Sequence, residues 1–380
     1  MTFTSRKAAL AGLATIGVSA LVLTGCSAAP SDNGPSKSAS NFLPCMVSDL
    51  GGFNDHSFNE LGLNGLQAAA KGLGVNEKHV ESKTADDYAP NIDSLLSEGC
   101  NLIVGAGFLL SADMLKAAKA NPDVKFANID DGLDAAGGPP DAKGNPTPDG
   151  KPDYPNGKGI LFNTQEAAFL GGYAAAAYSK TGVVGTFGGI QIPPVTVFMD
   201  GFVDGVAYYN QQNGKNVKAI GWDKAKQTGV FTGGFDAGAD AKKAAQGLLD
   251  QNADVILPVG GPIYQSAGDA IHEKNRKGGS VTLIGVDADV FNTDPKVQDI
   301  LLTSVMKGVD AGVKAVVEAT ASGDFSNAPF IGTLKNGALG LAPFHNFESK
   351  VPADLQSKLD AIKAKIISGE IPVTSQAAPK

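Results

Sequence analysis

The chain has 380 residues, 43% of them hydrophobic, with 48 glycines and a formal charge of −8. That is enough apolar material for one large core or two moderate ones. The acidic balance argues against a nucleic-acid partner and against a polybasic membrane patch.

Arg6 and Lys7 form a positive n-region, and Ala8–Leu23 is an apolar run too short to span a bilayer comfortably. It ends Leu23-Thr24-Gly25-Cys26, which resembles the lipobox of bacterial lipoproteins. Residues 1–25 are therefore expected to be a signal peptide, with Cys26 lipidated. Residues 26–42, rich in Ser, Pro and Gly, are expected to be a flexible tether. Cleavage removes two basic residues and no acid, leaving 29 basic against 39 acidic. The expected location is the extracytoplasmic face of the cell membrane, held by the lipid.

Short β-type runs then alternate with helical ones. Strands are expected at Met46–Asp49, His79–Ser82, Leu102–Gly105, Val124–Ile129 and Gly159–Phe162. Helices are expected at Ser57–Gly72, Ala89–Glu98 and Ser111–Ala120, the last stopped by Asn121-Pro122. Ser57 with Glu60 three residues on reads as a capping box, and Asp49 ends its strand beside the Gly51-Gly52 turn. Cys45 and Cys100 each precede or open a strand; a disulfide and two buried thiols are both compatible with that placement. Gly132–Lys158 reads as a surface loop, because Asp141, Asn145 and Asp149 miss the calcium-loop spacing.

A second α/β series follows, with a helix at about Gln165–Ser179, a strand at Val183–Phe187 and a helix from about Pro194 to Asn210. Strands are expected at Val217–Trp222, Asp254–Pro258, Thr282–Val286 and Ile300–Val305, and a helix at Val309–Ala321. Phe330–Leu334 and Ala338–Leu341 read as a final β pair, before a last helix at Ala353–Ser368. Two doubly wound, parallel α/β lobes account for this alternation, with ligands expected at the carboxyl edges of the strands.

Asp49-Leu-Gly-Gly-Phe-Asn-Asp-His-Ser-Phe-Asn59 resembles the opening motif of the basic membrane protein lipoproteins, also called purine nucleoside receptor A-like. Asn121-Pro-Asp-Val-Lys-Phe-Ala-Asn-Ile-Asp-Asp131, Phe198-Met-Asp-Gly-Phe-Val-Asp-Gly205, Gly285-Val-Asp-Ala-Asp289 and Thr303-Ser-Val-Met-Lys307 resemble its later blocks, in the family's order. The resemblance implies a type I periplasmic-binding-protein fold with two Rossmann-like lobes, three crossovers and a cleft between them. Lobe 1 would hold residues 43–163 and about 289–322, and lobe 2 residues 164–288 and about 323–375. Crossovers are expected near Asn163–Gln165, Asp287–Phe291 and Ala321–Phe325.

It also implies the monomeric solute-binding subunit of an ABC importer, working with permease and ATPase subunits and capturing a purine nucleoside without a cofactor or metal. Asp49, Asn59 and Asp130 would contact the base, Phe58 would stack on one face and Phe231 on the other. Asp287 and Lys307 would bind ribose hydroxyls, and the backbone at Gly260-Gly261 would approach closely. Asn54, Pro262 and the nearby Phe235 depart from or compete with that pattern. Carboxylates at Asp49, Asp130 and Asp287 would repel a phosphate, so a nucleoside is expected over a nucleotide. A hydrolase is the enzyme rival, but His56, His79, His272 and His345 are scattered and no G-x-S-x-G elbow occurs. The other rivals are a protein of this fold for a sugar or other small solute, and a sensory lipoprotein.

Overall fold

A computed structural model describes residues 41–141 and 143–379; the leader, Cys26 and nearly all of the tether lie outside the described residues. The first half supplies strand β1 (Pro44–Ser48), helix α1 (Phe58–Leu73), β2 (Lys78–Val80), α2 (Tyr88–Ser97), β3 (Leu102–Ala106), α3 (Ser111–Ala120), β4 (Lys125–Ile129) and β5 (Gly157–Phe162). Both β1 and β3 are buried along their whole length, as near-continuous apolar runs are when helices cover both faces of a parallel sheet. The second half supplies α4 (Gln165–Tyr178), β6 (Val183–Gly188), α5 (Pro193–Asn213), β7 (Lys218–Ile220), α6 (Ala239–Leu249), β8 (Val255–Val259), α7 (Ile263–Arg276), β9 (Thr282–Asp287) and β10 (Leu301–Lys307). Then come α8 (Val309–Ala321), β11 (Phe330–Gly332), β12 (Leu339–Leu341) and α9 (Leu355–Ser368).

Two six-stranded sheets result, ordered β11-β5-β4-β3-β1-β2 and β12-β10-β9-β8-β6-β7. Pairing is parallel throughout except for β12, which runs antiparallel to β10. This is the type I periplasmic-binding fold. The chain passes between the lobes at Asn163–Gln165, at Gly308 and between Gly332 and Leu339.

The last two crossings differ from the positions expected near Asp287–Phe291 and Ala321–Phe325. Residues 289–307 stay in the second lobe, because β10 returns beside β9 with Ile284 opposite Thr303. Only α8 goes back to pack on α1, and Phe330–Gly332 then adds to the first sheet beside β5. The expected β pair at Phe330–Leu334 and Ala338–Leu341 is therefore two strands in two different sheets. Each segment finds an open edge on a separate lobe, which proximity in sequence does not reveal. The strand expected at Val217–Trp222 is also divided. Gly221 turns through φ +91°, where a Cβ would fall 1.9 Å from the Thr186 carbonyl, and Trp222–Asp223 then pairs with Thr228–Gly229. Gly132–Lys158 carries one small antiparallel pair, Gly137–Gly138 with Thr147–Pro148.

Cys45 and Cys100 are joined in a disulfide, with Cα atoms 5.9 Å apart. Closing a loop of this length contributes on the order of 4 kcal/mol in the chain-entropy account. In the second lobe α4 and α5 meet backbone to backbone. A Cβ at Gly172 would lie 2.0 Å from the Phe202 carbonyl, and one at Gly205 2.0 Å from that of Phe169. Gly205→Ala is expected to lower unfolding stability by about 1–3 kcal/mol, because neither helix backbone can yield cheaply. Gly247→Ala, exposed on α6 with nothing within 4 Å of its Cβ, should instead stabilise by up to about 1 kcal/mol. Urea midpoints of the two variants check both signs.

Candidate functional site: a cleft between the lobes

The site begins with how α1 starts. Asp55 accepts hydrogen bonds from the backbone N–H groups of Ser57 (3.0 Å), Asn59 (2.9 Å) and Glu60 (3.0 Å). These are first-turn donors that have no partner within the helix. The expected Ser57 cap is not made. His56 takes a left-handed turn (φ 56°) that brings the Asp55 carboxylate round to the first turn, and Glu60 accepts from His56 N instead. Ser57 is thereby free to reach the other lobe, where its Oγ lies 3.2 Å from both Val286 O and Asp287 Oδ2. Thr293 makes a second bridge, donating to His56 O at 2.9 Å.

Asp49 follows β1, and its Oδ1 accepts from Asn59 Nδ2 at 3.0 Å and from Gly51 N at 3.3 Å. Its other oxygen lies against Gly107, where a Cβ would fall only 2.2 Å away. Burial pushes the Asp49 carboxyl up to about 6, with Asn59 and Gly51 pulling it down and the charges of Asp55 and Asp130 raising it further. Burial also pushes Asp55 up to about 6, against the pull of its three backbone donors.

Asp130 and Asp287 stand at the carboxyl ends of β4 and β9, one in each lobe, with φ values of 66° and 67°. Two non-glycine residues in the left-handed region are costly, and such strain concentrates at binding sites. Lys307, the last residue of β10 and only 2% exposed, lies between them. Its Nζ is 2.7 Å from Asp130 Oδ2 and 3.6 Å from Asp287 Oδ1. The ammonium also sits 4.8 Å from the Phe58 ring centroid and near the rings of Phe162 and Phe198. Burial pulls its pKa down, but the two carboxylates outweigh that and hold it above the ordinary lysine value. Burial keeps Asp130 and Asp287 above the usual carboxylate range although they share one ammonium.

These groups converge on a cavity of about 570 Å³, its open mouth included. Asp49, Phe58, Asn59, Asp130, Gly260, Gly261, Asp287 and Lys307 all line it, as do Asp55, Phe198 and Phe235. Phe231 does not. Its backbone pairs with Gly188, and its ring meets Trp222 edge-on at 5.9 Å in the second lobe. Phe235 takes the wall position, its ring packed over Gly189 and Gly260. The reason is spatial: the loop after Val230 tucks Phe231 beside β6 before Gly233-Gly234 swings the next aromatic into the cleft. Asp55 and Phe198 also line the cavity, and the sequence reading did not mark them. Both lay in motif blocks noted above, but neither spacing nor periodicity marks a cap acid or a helix residue as facing a cleft. Asn59 Oδ1 and Asp287 Oδ1 are buried there without a hydrogen-bond partner. Asp289 turns away to His345 at 2.9 Å, so it does not pair with Asp287 around one point. Among the described residues no group of three or more His, Cys, Asp or Glu is placed to hold a metal ion.

The family model for ABC transporter substrate-binding proteins of the PnrA-like type, Bmp, matches residues 42–377. The chain belongs to this family. Bmp members are substrate-binding proteins of ABC transporters, not enzymes. The nucleoside-binding protein BmpA of Lactococcus lactis is 27% identical to this Bmp chain over 98% of its length and 100% of the relative's. An uncharacterized lipoprotein of Pyrococcus horikoshii is 30% identical, covering 88% of the chain and 77% of that protein. A solved ABC-transporter solute-binding protein of Aeropyrum pernix superposes with a TM-score of 0.73 at 27% identity, covering 88% and 94% of the two chains. An arabinose-binding protein of Geobacillus stearothermophilus, at 15% identity and a TM-score of 0.55, shares the fold.

Lys307→Met would leave two buried carboxylates without their cation, and a loss of about 3–5 kcal/mol is expected at pH 7.5. A carboxyl whose folded pKa is raised binds its proton more readily folded than unfolded, so the folded state gains as pH falls. The deficit should therefore be smaller at pH 5 than at pH 7.5, because Asp130 and Asp287 are held above the usual carboxylate range and gain protons as pH falls. Urea unfolding of both proteins at both pH values measures it, and an unchanged gap would contradict the shared-ammonium account.

Proposed function

We propose that this Bmp protein captures a purine nucleoside in the interlobe cleft and delivers it to a membrane permease with its ATPase. The observation that carries the reading is the pairing, in one cavity, of an aromatic wall from each lobe, Phe58 and Phe235, with buried acceptors that lack a donor. A base is flat and a ribose is a neutral diol. Each stacked ring contributes about 1–3 kcal/mol by analogy with single-strand binding. Asn59 Oδ1 and Asp287 Oδ1 accept from N–H and O–H donors, and Lys307 donates to hydroxyl oxygens. The nucleoside-binding relative in Lactococcus lactis supports the same ligand class.

Capture follows from differential affinity: a ligand that touches both lobes stabilises the closed state over the open one. Ser57–Asp287, His56–Thr293 and Asp130–Lys307 are the contacts that closure makes between them. The protein acts as a monomer on the extracytoplasmic face, anchored through a lipid on Cys26. No helix among the described residues is long and apolar enough to cross a membrane. Replacement of Cys26 by Ser should release the protein from membranes.

Thermal melting against inosine, guanosine, adenosine, cytidine, ribose and inosine monophosphate tests the ligand class. Saturation at about 100 times the dissociation constant adds roughly 2.7 kcal/mol, a shift of a few degrees. Purine nucleosides are expected to raise the midpoint, and inosine monophosphate far less, because its phosphate meets the carboxylates. A shift with ribose alone would replace the nucleoside by a sugar. Phe58→Ala and Phe235→Ala should each weaken nucleoside binding by roughly 5- to 150-fold, the range of one stacking contact. Phe231→Ala should lower stability while leaving the dissociation constant within about threefold.

A further inference from the structure

We propose that Phe108 sets the length of solute the cleft accepts: its ring, together with Pro194 from the other lobe, shuts the solute cavity off from a second chamber on the hinge side. This rests on capture of a solute in the interlobe cleft, and the nucleoside reading supplies only the probes that test it.

Phe108 stands where the chain leaves β3. Ala106 pairs with Ile129, so Phe108 and Asp130, which follow them, emerge at the same edge of the first sheet. Gly107 makes the turn with φ +123°, and its carbonyl is held by Asn128 Nδ2 at 3.1 Å and by Leu110 N at 3.3 Å. Leu110 then enters the core of the first lobe, fully buried, while Phe108 stays half-buried. Among the phenylalanines of the described residues, Phe108 alone neither joins an apolar core nor meets a ring or a cation. An aromatic with no core to serve, held on the wall of a cleft, is a surface for something else to touch.

Two interlobe spaces meet at this ring. One is the solute cavity. The other, about 960 Å³ with its open mouth included, is bounded by Phe162 and Thr164 at the first crossing, by the 132–158 loop and by the C-terminal residues Gln376–Pro379. Among the described residues only Phe108, Asp130 and Pro194 border both. Asp130 is bonded to Lys307, and Pro194 is fixed in the first turn of α5. Phe108 is the large, uncommitted side chain of the three, and so the one whose truncation joins the two spaces. Behind the ring the chemistry is acidic. Asp131 accepts from Ser111 Oγ at 2.6 Å and Leu133 N at 2.7 Å, Asp134 accepts from Gly150 N at 2.6 Å, and the chamber's lining holds no Lys, Arg or His. An extension that entered would be favoured if it ended in hydroxyl or ammonium donors and repelled if it ended in phosphate.

Phe108→Ala tests the partition, and because Phe108 joins no core the variant should fold. Two probes carry an aminohexyl chain on adenosine, one on the base amine and one at the 5′ carbon, so that whichever end meets the ring is extended. By calorimetry the wild type is expected to bind at least one of them roughly 10- to 200-fold more weakly than adenosine, the penalty range for an ill-fitting group in a closed pocket. Phe108→Ala should remove most of that penalty, and should leave it in place when the same chain ends in phosphate. Phe235→Ala removes a ring that borders the solute cavity alone, so it should weaken adenosine and both probes alike. Wild-type binding of both probes as tight as that of adenosine overturns the proposal and leaves the nucleoside reading standing. So does a penalty that Phe108→Ala leaves intact, that Phe235→Ala lifts as well, or that disappears for the phosphate-ended chain too.

If adenosine itself gives no heat, the nucleoside reading fails and the partition is tested without a solute. The Thr293–His56 contact brings those positions together across the cleft, so H56C/T293C joined by a short bifunctional thiol reagent holds it shut. A crystal structure of the cross-linked protein should show the Phe108 ring between the two spaces, and its Phe108→Ala form one continuous space. A ring turned out of the interlobe space, or two spaces still separate without it, overturns the proposal.

Discussion

Lys307 is where the two lobes are held together. Its strand belongs to the second sheet, its strongest partner, Asp130, ends a strand of the first, and the next residue, Gly308, begins a crossing between lobes. One ammonium thus reports on the relative position of both sheets and of a hinge. A buried ion pair adds little stability in itself, since desolvating the charges offsets most of their attraction. What it supplies here is discrimination. One ammonium serves a carboxylate from each lobe, hydrogen-bonded to Asp130 at 2.7 Å and 3.6 Å from Asp287.

The same economy of partners explains why the cleft is built from strand ends. Parallel strands in an open α/β sheet deliver their last residues to one edge. Left-handed turns at Asp130 and Asp287 then direct the side chains into the gap instead of letting the strand run on. Glycines at 107 and 260 let Asp49 and Phe235 lie close against the wall. Buried acceptors left without donors in this setting are a cost to the empty closed form. Under the proposed capture by lobe closure, that cost would fall when a donor-bearing solute filled the gap.

Much of the lining of the candidate cleft was legible because it sits in short local motifs. Asp49, Phe58 and Asn59 come from one turn-and-helix segment, and Asp130, Asp287 and Lys307 end apolar strand runs. The readings that failed were those that depend on neighbours distant in sequence. Ser57 fits a capping box by spacing, yet its hydroxyl belongs to Asp287, 230 residues on, and Asp55 does the capping. Phe231 and Phe235 are equally aromatic and lie four residues apart in a glycine-rich loop. Only the packing of one against Trp222 and of the other over Gly260 tells them apart. Phe330–Gly332 and Leu339–Leu341 look like a hairpin for the same reason that many adjacent strands do.

The sequence by itself determined that alternating strands and helices build two parallel α/β lobes, and that acids and aromatics accumulate at their strand ends. Those properties are local: apolar periodicity, glycine turns and stop signals act within a few residues. Tertiary structure alone decided where the chain changes lobes, which phenylalanine faces the cleft, that Cys45 and Cys100 are bonded, and which carboxylates share the one lysine. Each of these is a choice among chemically similar candidates. It is made by close packing and by the need of every buried charge for a partner, neither of which exists until the two sheets have come together.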